Sequence, residues 1–509
     1  MAKNIILCSD GTGNSALKGR GTNVFKLYEA VDVNGHRYNK KLAEQIAFYD
    51  DGVGTESMKL LKIMGGAFGC GLRRNVKQLY TSLAKCYQPG DQIYLFGFSR
   101  GAFTVRQLAG FIVGCGIIDR SKWTTDNELK KLINQAFRKY RLRHRTWLEE
   151  KLKRFLPSDK KARDAFRQNF SWKDETYTPE GKVPIRFIGV WDTVAAVGLP
   201  FDHLTDFINK FIYRFKFPDN RLSFQVDKAC HALAIDDERH SFHPELWDET
   251  METDDSRIEQ VWFPGVHSNI GGGYSKQGLS LVTMDWMMTR AEAVGLRFLE
   301  CSRLCYHDQQ NVHDKLYDSR TGLAVYYRYK VRDISKRCYE LNISPDVHVS
   351  TFDRILYGTD GYAPVNLPAG LNIVATDDRP PLRELKSLTE KTNHAITNEE
   401  IILNRAKKWM RLRQYSHYLF ILSTIIILYL IIKFGSSGVI ESPFFNSFLN
   451  VIRFVLGNAV TDYLIKPILS RPEIGFSLVG FLILFYLAGI FTKNKIKKIY
   501  SAFWRKTMI

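Results

Sequence analysis

Through the first 275 residues, short apolar runs rich in β-branched and aromatic side chains alternate with stretches of helical period, and few folds satisfy that alternation. NIILCSD from Asn4, EQIAFYD from Glu44, QIYLFGFS from Gln92, IRFIGVWD from Ile185 and IEQVWFPGVH from Ile258 each read as a buried strand. Between them, NVFKLYEAV, NVKQLYTSLAKCYQ, FTVRQLAGFIVGCG and VDKACHALAI read as helices. Strands that are apolar on both sides and separated by helices predict an α/β fold, with a mostly parallel sheet flanked by helices. In such sheets reactive groups gather at the C-terminal ends of the strands. Those ends carry Asp10, Asp50, Asp51, Ser99, Asp192 and His267.

The most informative of them is Ser99, in Gly97-Phe98-Ser99-Arg100-Gly101, directly between the strand QIYLF and the helix AFTVRQLAGFI. A nucleophile on a strand-to-helix turn needs small neighbours, here Gly97 and Gly101, so that the backbone can turn tightly. The turn also sets the hydroxyl near a helix N-terminus, whose dipole favours developing negative charge. A serine needs a base, and the base an orienting acid. His267 follows one strand and Asp192 another, and the order Ser99, Asp192, His267 is that of α/β-hydrolases. Asp236 and Asp237, in HALAIDDERH, remain alternatives for the acid. The expected oxyanion donors are the backbone N–H of Arg100 and a group in the loop Asp10-Gly11-Thr12-Gly13, namely Gly11 or Thr12.

Charge divides the chain differently. The net charge of +19 is concentrated in three places: Arg120 to Gln168 carries +10, Arg405 to Arg413 carries +5, and Lys493 to the C-terminus carries +6. The remainder is nearly neutral, which argues against nucleic-acid binding by the globular part. No charged residue occurs from Gln414 to Ile432 or from Ile474 to Thr492, each a run of 19 residues. As helices these are about 28 Å long, close to the hydrocarbon thickness of a bilayer, and they are apolar on every face. The flanking cations place both ends in the cytoplasm. The expectation is a multi-pass protein of two spans, catalytic domain and both termini cytoplasmic, in a bacterial inner membrane. The segment SPFFNSFLNVIRFVLGNAVTDYLIKPIL between the spans is interrupted by Arg453, Asp462 and Lys466 and is expected at the far interface.

The predicted organisation is a catalytic domain over 1–375 with a basic helical insertion at 120–182, a basic linker over 376–413, a transmembrane hairpin over 414–492 with spans 414–432 and 474–492, and a basic tail over 493–509. The insertion interleaves Phe137, Tyr140, Trp147, Leu148, Leu152 and Phe155 with its charges. It is read either as a lid or leaflet-facing element, or as an amphipathic hairpin packed on the sheet. Composition adds exclusions. At 45% hydrophobic and 25% charged residues, a wholly disordered or fibrous chain is ruled out. Eight cysteines, closely spaced only at Cys301 and Cys305, are too sparse for a disulfide framework or a paired-cysteine zinc site and suit a reducing compartment.

The motifs SDGTGNS from Ser9, GTNV from Gly21, YDDGVGT from Tyr49, GFSRGAFTVRQLAG from Gly97, VWDTVAAVG from Val190, HALAIDDERHSFHPELW from His231 and VWFPGVHSNIGGGY from Val261 carry a resemblance. LYDSRTGLAVYYRY from Leu316 and GYAPVNLP from Gly361 extend it to residue 368. The chain resembles the α/β-hydrolase-domain family that includes the phospholipase effectors of bacterial type VI secretion. That resemblance implies a Ser-His-Asp esterase acting on acyl esters, with lipids the substrate class, and it supports Ser99 as nucleophile, Asp192 as orienting acid and His267 as base. Membrane phospholipid and the bilayer are then the expected partners, with an inhibitory or immunity-type protein to restrain the activity. No metal or cofactor is required. A metal-dependent phosphohydrolase would want an acid at Cys8, ahead of Asp10-Gly11-Thr12, and has none. A metal site of His231, Asp236, Asp237, His240 and His243 is disfavoured because helical spacing would scatter them. The alternative to an enzyme is a silent scaffold or a toxin-like protein acting through the hairpin, against which intact Ser99, Asp192 and His267 argue.

Overall fold

The computed structural model describes residues 2–11, 21–51, 67–141, 159–172, 185–194, 220–252, 254, 256–341, 343–377, 382–398, 400–434 and 472–508. They form two compact units, Met1–Thr359 with Asn366–Ile396, and Asp360–Val365 with Thr397–Ile509.

The first unit is built on a sheet of eight strands, β1 (Asn4–Ser9), β2 (Gln45–Asp50), β3 (Gln92–Phe98), β4 (Ile185–Trp191), β5 (Val226–Ala234), β6 (Ile258–Phe263), β7 (Asp346–His348) and β8 (Asn372–Val374). Their order is β2-β1-β3-β4-β5-β6-β7-β8, and every pair is parallel. Alternate residues feed two cores. Ile5 and Leu7 of β1 and Ile93 and Leu95 of β3 pack with helices α2 (Ala67–Cys86), α3 (Arg100–Cys115) and α4 (Asp126–Arg141). Ile6, Cys8, Tyr94 and Phe96 point the other way, against α1 (Asn23–Ala30) and α6 (Gly278–Glu292). Burial on both faces is why these strands read as unbroken apolar runs. The chain leaves β1 in one direction for β2 and returns past it to β3, so the order reverses beside the C-terminal ends of β1 and β3. Such a switch point opens a crevice where ligands bind.

Two expectations need correcting, and one open alternative is decided. The segment VDKACHALAI is not a helix but β5, a central strand between β4 and β6. A short apolar run carries no period that separates a buried strand from a helix, and alanine favours the helix. The argument that helical spacing scatters His231 and its neighbours therefore fails, since His231 lies within that strand. The insertion does not offer Phe137 and Tyr140 to a leaflet: both are buried with Leu129, Leu132, Ile133 and Ala136 on one face of α4, and the Tyr140 hydroxyl donates to Gln107 Oε1 at 2.8 Å. Trp147, Leu148, Leu152 and Phe155 lie outside the described residues.

The second unit contains two long helices, α7 (Glu400–Phe434) and α8 (Pro472–Met508). Trp409 meets Phe491 and Phe420 meets Tyr486, so the two run antiparallel. Both charge-free runs fall within them. Among the described residues one helix, Ser477–Met508, is long and apolar enough to cross a membrane by length and composition, where the sequence predicts two. The first part of α7 carries the cations of 405–413, and the side chains of 430–434, at the apolar end of its run, lie outside the description, as does the segment 435–471. Beyond the apolar run, α8 buries Ile496, Tyr500, Phe503 and Trp504, and Trp504 Nε1 donates to the Pro364 carbonyl at 2.9 Å.

Candidate active site

Ser99 joins β3 to α3 with φ of 58°, a conformation that an L-residue adopts at a cost of about 1–3 kcal/mol. Only three non-glycine residues described have positive φ, and Asp192, at the end of β4, is another, at 40°. The elbow glycines have steric reasons. A Cβ on Gly101 would collide with the backbone carbonyl of Ser9, and one on Gly97 with the first turn of α3. The close approach of α3 to the end of β1 thus needs glycine at 101.

The three strand-end residues converge. His267, first residue of the short helix α5 (His267–Gly271), lies with Nε2 2.8 Å from Ser99 Oγ and Nδ1 2.6 Å from Asp192 Oδ2. An ionised carboxylate only accepts, so the Nδ1–H donates to Asp192 and Nε2 is left to accept the Ser99 hydroxyl proton. All three side chains are nearly removed from water. The imidazole is seated between Phe98, at 4.6 Å between ring centres, and Phe242, at 5.0 Å. Burial lowers the His267 pKa although Asp192 opposes it.

Neither alternative acid takes this position. Asp236 Oδ2 accepts the Gly265 N–H at 2.7 Å. Asp237 is paired to Arg239 at 2.7 Å, and its Oδ2 accepts the His267 backbone N–H at 3.2 Å, so it fixes the start of α5 and not the imidazole. Asp192 has a partner that sequence reasoning missed. Buried Arg332 donates to both of its oxygens, at 2.6 and 2.7 Å, and the Ala234 N–H donates to Oδ1 at 3.0 Å. Burial would raise the Asp192 carboxyl, but Arg332 and His267 outweigh it and hold it well below the usual carboxylate range.

Of the expected oxyanion donors, Arg100 occupies the first position of α3, at the positive end of its dipole. Gly11 is a correction. Its N–H donates to Asp10 Oδ1 at 2.6 Å, and Asp10 Oδ2 in turn accepts from Thr22 Oγ1 at 2.5 Å and the Tyr49 hydroxyl at 2.6 Å. The carboxylate ties this loop down by taking the N–H that an oxyanion would need. Thr12 lies outside the described residues. The grouping weighed as a metal site is dispersed. His231 Nε2 accepts the Thr193 N–H at 3.0 Å, Asp237 faces Arg239, and His243 Nε2 meets the Lys330 carbonyl at 3.1 Å. Among the described residues no cluster of three or more potential ligands occurs.

Fold and site define an α/β protein with serine, histidine and aspartate aligned at the ends of parallel strands. Residues 3–290 match the family "T6SS, Phospholipase effector Tle1-like, catalytic domain", and the chain belongs to that family. It is also similar to an uncharacterized protein of Saccharomyces cerevisiae, 29% identical over 253 residues, a match that covers 47% of this chain and 32% of the relative's length. Among solved structures, the Tle1 effector bound to the VgrG spike of the type 6 secretion system is 17% identical, with 54% of this chain and 52% of that one covered at a TM-score of 0.29. An uncharacterized protein from Pseudomonas aeruginosa is 16% identical, with 94% and 66% covered at a TM-score of 0.32.

Proposed function

We propose that the chain is a membrane-tethered serine hydrolase with an α/β-hydrolase-like catalytic domain, cleaving acyl esters of phospholipids. The observation that carries this reading is the line from Ser99 Oγ through the His267 ring to Asp192, with links of 2.8 and 2.6 Å, on a serine held in a strained turn at a helix N-terminus. Ser99 Oγ attacks the ester carbonyl while His267 Nε2 takes its proton, and Asp192 holds the imidazole in the required tautomer. The oxyanion accepts from the N–H of Arg100. The tetrahedral intermediate expels the alcohol, which takes the proton from His267. Water, deprotonated by His267, then hydrolyses the acyl-enzyme and frees Ser99. Membership of a family of phospholipase effectors supports the substrate class. In this reading residues 1–375 carry the chemistry, 376–413 are the linker, and α7 and α8 cross the bilayer as a hairpin with the catalytic domain and the basic tail in the cytoplasm.

The full chain in detergent or nanodiscs is expected to hydrolyse phospholipid vesicles and nitrophenyl esters and to react with a fluorophosphonate at Ser99, and Ser99→Ala to lose both. Equal inactivity of the two proteins across a broad ester and lipid panel would overturn the proposal in favour of a scaffold. A reporter fused after the C-terminus tests the topology, and a signal from the far side breaks the two-span arrangement.

A further inference from the structure

Arg332 lies two residues before the helix Ile334–Glu340 and reaches the carboxylate that orients His267. Nη1 donates to Asp192 Oδ1 and to the Ala234 carbonyl, at 2.6 and 2.7 Å, and Nη2 donates to Asp192 Oδ2 and to the Phe242 carbonyl, at 2.7 and 2.6 Å. The guanidinium is therefore fixed both to the end of β5 and to the backbone of the residue whose ring packs on His267. Serine-hydrolase chemistry asks of its acid only that it orient the imidazole and stabilise its charged form. A cation gripping both oxygens of that acid is an addition. Its consequence is electrostatic: a lone buried carboxylate would make the pair bind its proton tightly, and an imidazole that keeps its proton cannot accept another from Ser99.

We propose that Arg332 is a positioning residue for the Asp192–His267 pair, fixing the carboxylate by a two-pronged grip and offsetting its charge so that the pair is aligned yet holds its proton loosely. The proposal rests on the reading of Ser99, His267 and Asp192 as the catalytic line. Other ionisable groups face the pair from the elements around it. Asp237 and Arg239 neutralise one another beside the start of α5, and Asp236 is turned to the Gly265 N–H. His231 on β5 is kept neutral by burial and by Arg106 of α3, its pKa lowered to about 3. Arg106 itself is engaged with the carbonyls of Glu245 and Leu246. Among the described residues, Arg332 is the cation hydrogen-bonded to the Asp192 oxygens.

The test is the pH dependence of fluorophosphonate labelling of Ser99 in the full chain, for wild type, Arg332→Gln and Arg332→Lys. Labelling rises with pH as the pair loses its proton. Without the guanidinium charge the pair binds that proton more tightly, whichever partner carries it. In Arg332→Gln the midpoint is expected to move up by about one pH unit, with labelling below the midpoint falling about tenfold. Arg332→Lys keeps the charge but loses the fork, so its midpoint stays near the wild-type value while its plateau rate falls. A purely structural arginine would leave the midpoint unmoved in the folded Gln variant, and that result overturns the proposal. If Arg332→Gln fails to fold, as judged by its melting curve, an unchanged plateau in Arg332→Lys overturns it instead. Absence of labelling in wild type has a separate meaning, because it removes the catalytic reading on which the role depends.

Discussion

The same residue types meet opposite fates in the two units. In the sheet unit Ile93 and Leu95 are fully buried, whereas on α7 and α8 Leu422, Ile425, Ile483 and Leu484 are each more than half exposed. A parallel sheet covered on both faces takes its apolar side chains out of water. An antiparallel helix pair shields one stripe of each helix and leaves the rest of an all-round apolar surface facing outward. Such a surface is at rest in a solvent that is itself apolar, and helices suit that solvent because their backbone hydrogen bonds are satisfied internally. The contrast separates two kinds of constraint on one chain: shape and chemistry in the first unit, length and hydrophobicity in the second.

The largest effect should come from Ser99→Ala. Ester hydrolysis is expected to fall by about a thousandfold or more while the melting temperature is kept, and a rate near wild type would mean that the first unit is only scaffold. Leu95→Ala, in the core, should cost about 2–5 kcal/mol in a denaturant melt, while Leu484→Ala on α8 should stay within about 0.5 kcal/mol in detergent. Similar costs for both would erase the contrast. Leu484→Lys sharpens it further. If α8 lies in hydrocarbon, the substitution costs about 2.5–3.5 kcal/mol of insertion and lowers the membrane-bound fraction, but if α8 is a solvated helix it costs almost nothing.

The sheet unit should also lose stability in acid. Buried His231 and His348 each have a pKa lowered by burial to about 3. Both return to about 6.5 on unfolding, so between those values the unfolded chain binds more protons than the folded one. Stability should therefore fall on acidification through that window, by about 1.4 kcal/mol per pH unit for each histidine. Melting temperatures across pH 4 to 7 check this, and His231→Asn should flatten the slope.

What sequence could reveal tracks how local the cause is. β1, β3, β4 and β6 are legible because two-sided burial writes an apolar run that needs no knowledge of the partners, and β2, a half-buried edge strand, is legible from Ile46, Phe48 and Tyr49 between polar ends. β5 is not, because alanine and cysteine suit either element, and β7 and β8, at three residues each, are too short to show a period. Ser99, Asp192 and His267 each directly follow or lie a few residues beyond a strand, so local sequence already brings them to one edge of the sheet. Arg332 is 140 positions from Asp192 and lies in no strand or motif, and nothing in KVRDIS distinguishes it from other arginines. Of the two loop donors the sequence leaves open, Gly11 drops out for a short-range reason: its own neighbour, Asp10, captures the N–H. For Phe137 and Tyr140 the flanking charges leave two readings open, and the helix decides for the packed one by sorting the two kinds of residue onto opposite faces.

If Ser99 and Asp192 act as proposed, their positive φ bears on descent as well as on chemistry. Glycine is the residue for which those backbone angles are easy, so at two of its three key positions the protein carries a side chain that its own folding disfavours. Selection for stability alone would replace them. A lineage released from catalysis should drift toward glycine at 99 and 192 while the surrounding strands persist. On the proposed reading the two side chains together, rather than strain by itself, which Asp360 also carries, would serve as a register of use among relatives.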